Sequence, residues 1–376
     1  MKFCFYTNTV SPHQLPLARE IVKRIGPDGY RYVHTDKLTG ERRSLGWNVR
    51  GEPWVIPFGS GEARRWLREA DVVMMQHPRD WTLFEERLHR GKICLYASER
   101  WFKPVSLFPF FLKRFCGFSV DGRARLFAPS YRRMANRFLS LVRRYDRFLV
   151  LPVGIHAKRD FEWLGVPEDR MLDWGYFVEE GKREEGKGKR EEGKRDGLKV
   201  LWAGRMLGWK RVDTVIRAAG ETSVHSIASG RPSITLDIYG TGPEESRLRR
   251  LAAKYGDVVR FHPPVPIDRV RRLMREHDVY VLASDANEGW GAAVNEALEE
   301  GMKVLGTFEA GASAALLGQE DLFRSGDWKS LAALLEKCAA AKASGNLDGQ
   351  GIGEWTPAKA ADRLLELLQR RLKTDI

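Results

Sequence analysis

From Glu179 to Arg195 the chain carries no hydrophobic side chain, only glutamate, glycine, lysine and arginine in repeats of an EEGKR unit. Such a stretch buries nothing, so it reads as a solvated linker or mobile loop. It divides the 376 residues into two parts, each long enough for its own core: residues 1–178 and 197–356, with 179–196 as the charged linker. On both sides short apolar runs alternate with amphipathic ones. Before the linker, strand-like segments at 2–6, 71–75, 92–97 and 147–150 alternate with helical periodicity at 15–25, 83–90 and 131–144. After it, strands at 198–202, 234–239, 258–261, 278–283 and 303–306 alternate with helices at 212–219, 244–255, 267–277 and from about 292 to a glycine cap at Gly301. Repeated βα units of this length predict α/β architecture, with a parallel, doubly wound sheet in each part and two Rossmann-like domains facing each other across a cleft. Thr356 and Pro357 start a last helix with a capping side chain and a proline at its first position.

Composition narrows the function classes. No run of about twenty apolar residues is present, and Met1-Lys2-Phe3-Cys4-Phe5-Tyr6 reads as a core strand rather than a secretory signal, so a cytoplasmic protein is expected. The four cysteines, 4, 94, 116 and 338, are far apart and form no metal-ligand spacing, which leaves them as small core residues. Charge is lopsided. Residues 1–178 hold 31 Lys and Arg against 19 Asp and Glu, and residues 101–150 alone hold 11 against 2. A patch this one-sided implies an anionic partner, such as a membrane surface, a charged glycan or nucleic acid. No nucleic-acid-binding motif accompanies the charge, so no nucleic acid partner is expected. Trp101 to Phe118 interleaves aromatics with basic residues, a pattern that suits insertion at a lipid headgroup layer or, equally, aromatics in the core beneath exposed cations.

The chemistry concentrates after the linker. Ser284-Asp285-Ala286-Asn287-Glu288-Gly289-Trp290-Gly291-Ala292 leaves a strand and enters a helix, with Glu288 and Glu296 eight positions apart. At this end of an open α/β sheet a diphosphate is the natural guest. Glycines at 289 and 291 admit close backbone approach, and Glu296 can accept two hydroxyl hydrogen bonds from a ribose or sugar. Gly204-Arg205-Met206-Leu207-Gly208-Trp209-Lys210 follows another strand, and Arg205 with Lys210 can clamp a diphosphate. Gly240-Thr241-Gly242-Pro243 serves equally as a plain turn or as the wall of a base pocket.

These pieces, in this order and spacing, resemble the nucleotide-sugar-binding domain of the retaining GT-B glycosyltransferases of the large family four group. The resemblance is strong over about 198–310 and extends through the last helix, 357–376, which it implies packs back on the first domain. It implies that Arg205 and Lys210 neutralise the leaving diphosphate, that Glu288 lies next to the transferred sugar, and that Glu296 binds the nucleotide ribose. Gly204, Gly240, Thr241, Gly242, Gly289, Trp290, Gly291 and Ala292 are then donor-side residues. No cofactor or metal is expected, since fixed cations answer the charge that builds on the diphosphate. The implied partners are a nucleotide-sugar donor and a glycan or glycolipid acceptor, the latter at an anionic membrane surface. The first part departs from the family pattern: no glycine follows its first strand, and Ser98-Glu99-Arg100 stands where many members have a histidine. His13 and Glu99 are candidates for those acceptor-side roles, with His77 placed similarly; a helix-start residue and an arginine's partner are their ordinary alternatives. A non-catalytic GT-B scaffold and a nucleotide-sugar epimerase are the competing functions.

Overall fold

In a computed structural model, residues 1–36, 39–40, 51–76, 81–106, 119–181, 197–228 and 233–373 are described. His77, Cys116, most of the aromatic–basic run and residues 182–196 of the charged segment lie outside them. The chain divides into two compact units. One holds the N-terminal part through Phe177, apart from 39–47, together with the C-terminal helix Pro357–Lys373; the other holds Val178–Thr356.

The first unit contains a six-stranded sheet of β1 (Phe3–Thr7), β2 (Tyr30–His34), β3 (Val55–Pro57), β4 (Val72–Met75), β5 (Ile93–Ser98) and β8 (Phe148–Pro152). A short antiparallel ribbon, β6 (Val105–Ser106) with β7 (Ser119–Val120), stands apart from it. The sheet order is β3-β2-β1-β4-β5-β8, and every pairing is parallel. Strands β1, β4, β5 and β8 are buried along their whole length, which is why they read as continuous apolar runs rather than alternating ones.

The second unit repeats the plan with β9 (Leu198–Ala203), β10 (Ile234–Tyr239), β11 (Val259–His262), β12 (Val279–Leu282), β13 (Lys303–Thr307) and β14 (Leu322–Phe323), in the order β11-β10-β9-β12-β13-β14. Again every pairing is parallel. In each sheet the strand order reverses at one point, between β1 and β4 and between β9 and β12. A doubly wound sheet opens its ligand crevice beyond the carboxyl ends of the two strands at such a point.

Several elements depart from the sequence pattern for identifiable reasons. The helix expected to stop at 219 runs on over Val212–Ala228. Gly220 resembles a stop signal, but a Cβ there would come within 2.4 Å of the Tyr255 ring, so this glycine serves packing. Strands β3 and β14 are three and two residues long, too short to show a period. The helix Gly61–Glu69 is so rich in charge that only Ala63, Trp66 and Leu67 mark its buried stripe.

Candidate active site

In the second unit the two motif segments leave β9 and β12, the pair that flanks the reversal point. They are tied together by the Asp285 N–H, which donates to the Trp209 carbonyl at 2.8 Å. The β9 loop makes a single 3-10 turn at Gly208–Lys210 and then passes through Arg211, the one non-glycine residue with positive φ (50°) among those described. That uncommon backbone turns the chain straight into the helix beginning at Val212. Lys210 is thereby directed to Glu288, and its ammonium forms an ion pair with Glu288 Oε2. Its Nζ also lies 4.6 Å from the Trp209 ring centroid. Glu288 is buried, while Arg205, on the same loop as Lys210, is exposed and its side chain has no hydrogen bond or ion pair among the described residues. A cation and a carboxylate thus meet where these two loops are tied together.

The glycines have steric reasons for their positions. Gly291 adopts φ +96°, and a Cβ on it would approach Leu282 Cδ2 to 2.7 Å, so its bare face accommodates that leucine, with Glu288 Cγ in ordinary contact at 3.5 Å. Gly240 has φ +144°, and a Cβ there would come 1.9 Å from the Gly204 carbonyl oxygen. Gly242 similarly faces the backbone of Met206. Hydrogen bonds from Gly204 N to Tyr239 O at 3.0 Å and from Met206 N to Thr241 O at 2.9 Å join these two loops. The Thr241 hydroxyl is engaged by Glu245 Oε2 at 2.7 Å. Trp290 contributes its side chain to the core, with Nε1 donating to Asn295 Oδ1 at 2.7 Å and its ring 5.6 Å from that of Trp355. The Trp290 carbonyl accepts from Ala312 N at 2.8 Å. Gly289 and Ala292 lie on the same loop, and Glu296 is buried on the short helix Ala293–Glu299.

Three residues around this site were given no role by the sequence reading. Ser284, fully buried, donates from Oγ to Glu288 Oε2 at 2.8 Å. Thr307 at the end of β13 donates to the Ser284 carbonyl at 2.6 Å. Tyr280 on β12 donates to the Ala203 carbonyl at 3.3 Å, and its hydroxyl is made harder to ionise by burial and then by the charges of Glu296 and Glu288. Serine and threonine are too common for composition to single out; their places at strand ends beside the glutamate were the available signal.

The first unit keeps its candidates further apart in role. His13 is half-buried, its carbonyl accepting from Phe177 N at 3.1 Å. It borders a small pocket with Gln14, Gln76, Trp174 and Tyr176. There Tyr32 donates to Gln14 Oε1 at 2.5 Å, and the Gln14 amide donates to Gln76 Oε1. Glu99 is engaged by Lys103 Nζ at 3.0 Å and by the Tyr176 hydroxyl at 3.0 Å, so its ionic partner is a lysine and not an arginine. Trp101 and Phe102, which open the aromatic–basic run, are core residues, with Trp101 Nε1 donating to the Tyr96 hydroxyl at 3.1 Å.

Two doubly wound parallel sheets, each with one reversal point, match the GT-B fold. Comparison with known proteins agrees: the sequence model described as "Glycosyl transferases group 1" matches residues 184–343. A UDP-N-acetylglucosamine-peptide N-acetylglucosaminyltransferase GtfA subunit from Limosilactobacillus reuteri is 33% identical over 115 residues, 28% of this chain and 20% of that protein. A D-inositol 3-phosphate glycosyltransferase from Streptomyces coelicolor is 29% identical over 212 residues, 52% of this chain and 44% of that protein. The chain therefore spans less than half the length of either relative. Among solved structures, the lipopolysaccharide outer core galactosyltransferase WaaB matches 99% of this chain and 100% of its own at TM-score 0.62 and 12% identity. Anabaena HepE in complex with UDP matches 100% and 99% at TM-score 0.59 and 16% identity. At such identities the likeness is one of fold.

Proposed function

We propose that the protein is a retaining glycosyltransferase that moves a sugar from a nucleotide-diphosphate donor to a glycan or glycolipid acceptor without a bound metal. The observation that carries this is the ion pair of Lys210 with the buried Glu288 where the β9 and β12 loops meet, with the exposed Arg205 on the same β9 loop as Lys210. As the glycosidic bond to the diphosphate breaks, negative charge grows on the phosphate oxygens, and preorganised cations lower that barrier. Glu296 binds the ribose and Glu288 the sugar. UDP is the first nucleotide to test, since HepE was solved with UDP and the GtfA relative is named for a UDP-linked sugar. His13 and Glu99 belong to the acceptor side. The acceptor is met at an anionic membrane face on the cytoplasmic side. In support, Arg132, Arg133, Arg143 and Arg144 are exposed on the helix Pro129–Arg144, Phe127 just before it is 88% exposed, and no helix among the described residues is long and apolar enough to cross a membrane.

Thermal denaturation with UDP, ADP or GDP in EDTA tests the donor half. UDP at a hundred times its dissociation constant is expected to add about 2.7 kcal/mol of stability without divalent metal, and Arg205→Gln to weaken the effect. Stabilisation that requires magnesium or manganese would overturn the metal-free assignment, and no response to any of the three nucleotides would overturn the donor site itself.

A further inference from the structure

Both donors that reach the Glu288 carboxylate converge on one oxygen. Lys210 Nζ and Ser284 Oγ each donate to Oε2, the serine at 2.8 Å, and Oε1 has no hydrogen bond among the described residues. A carboxylate accepts at both oxygens, so loading one of them orients the other toward whatever ligand arrives. The two donors differ in how firmly they stay. Lys210 is a point charge on a flexible stem, 19% exposed at its side chain, and a diphosphate in the crevice competes for it. Ser284 has no such freedom. It is 0% exposed at the end of β12, its carbonyl is gripped by the Thr307 hydroxyl at 2.6 Å, and the next residue's N–H is fixed to the Trp209 carbonyl at 2.8 Å.

We propose, on the functional reading above, that Ser284 is a positioning residue for Glu288: it holds Oε2 when the donor diphosphate draws Lys210 away, and so keeps Oε1 presented to a hydroxyl of the donor sugar. Lys210 thus exchanges partners on donor binding while the carboxylate stays in place. Without the serine hydroxyl, the departure of Lys210 leaves the carboxylate with neither donor, free to rotate.

The consequence is a split between sugar and nucleotide. In Ser284→Ala, affinity for UDP is expected to stay within about twofold of wild type, while the additional affinity and turnover shown by UDP-glucose, UDP-galactose or UDP-N-acetylglucosamine, whichever the wild type prefers, fall about tenfold, the effect of one hydrogen bond. Equal losses for UDP and the UDP-sugar, or no loss for either, would overturn the positioning role. A crystal structure of ligand-free Ser284→Ala, soaked with inorganic pyrophosphate to compete for Lys210, gives a second readout that needs no nucleotide. The Glu288 carboxylate is expected to turn or lose order; a carboxylate unmoved from its wild-type position refutes the proposal. Failure of the functional reading is separate, being the inability of the wild type to bind any nucleotide.

Discussion

Asp237 illustrates how one buried side chain links sequence to stability. It sits on β10 and accepts from His262 Nε2 at 2.6 Å, His277 Nε2 at 3.2 Å and Arg260 Nη2 at 3.1 Å. Burial alone would raise its pKa, but the hydrogen bonds from His277 and His262 and the charge of Arg260 win, and bring it from 3.8 to about 2. A folded-state value below the unfolded one means the ionised form favours folding: the contribution is whole above pH 4 or so and is lost as pH falls through about 2. Its size is about 2 kcal/mol, at 1.36 kcal/mol per unit. Denaturant unfolding of wild type and Asp237→Asn between pH 7 and pH 2 checks this. The wild type should lose about 2 kcal/mol more of its stability than the variant, and parallel acid profiles would contradict the assignment. Residues of this kind were hard to read from the chain, because aspartate and histidine were spread over three elements that only the fold brings together. The glycines were half-legible. Gly240 and Gly242 read equally as a plain turn or as the wall of a base pocket, but the body approaching Gly240 is the Gly204 carbonyl of a neighbouring loop, a tertiary pairing with no local signature.

Among the elements, most periodic segments named from the sequence lie within a few residues of their observed ends, whereas the helix Trp328–Ala343 and the short edge strands were missed. The helix Pro129–Arg144 shows why. Ala135, Phe138, Leu141 and Val142 form a buried stripe at three-to-four spacing, and the exposed residues include Arg132, Arg133, Arg137, Arg143 and Arg144, so period and charge agreed. By contrast, β2 is a central strand in which Tyr30, Tyr32 and Val33 are buried beside Arg31 and His34, and five residues of mixed character carry no clear period. The arginine face and Phe127 together make a specific expectation. Each cation near an anionic bilayer contributes about 1 kcal/mol, screened within a Debye length of about 10 Å at 0.1 M salt. Co-sedimentation with vesicles of phosphatidylglycerol and phosphatidylcholine should therefore weaken steeply with salt, and Arg132→Gln with Arg133→Gln should reduce it at least tenfold, on the order of 2 kcal/mol. Phe127→Ser should reduce it further with little change in stability, given that the ring is 88% exposed. Binding indifferent to lipid charge would leave a soluble anionic acceptor as the explanation of the patch.

At the scale of the whole molecule, sequence order and structural unit part company at the C-terminus. The helix Pro357–Lys373 follows the second unit in the chain yet belongs to the first. Its buried face, Ala360, Ala361, Leu364, Leu365 and Leu368, packs with the helix Leu15–Ile25. Arg24 Nε donates to Asp362 Oδ1 at 2.6 Å, and Arg371 donates to the Asp169 carbonyl at 2.8 Å. The apolar spacing of the helix was plain in the sequence; its docking partner came only from a family resemblance, since nothing in an amphipathic pattern names the surface it covers. Burying each leucine contributes about 1.5–3 kcal/mol, so three of them represent several kcal/mol, comparable with the whole stability of an ordinary domain. The exposed ion pair adds little to that. Ending the chain after Thr356 should consequently unfold or strongly destabilise the first unit and spare the second. Hydrogen exchange followed by mass spectrometry distinguishes the two: amides of β1, β4 and β5 should lose protection, while those of β9, β10 and β12 keep it. The truncated chain should still be stabilised by UDP, because every residue proposed for the donor side, from Gly204 to Glu296, lies in the unit left intact. Uniform loss of protection across both sheets would show that the units fold as one, and undiminished protection in the first would mean that the helix is dispensable to the core it covers.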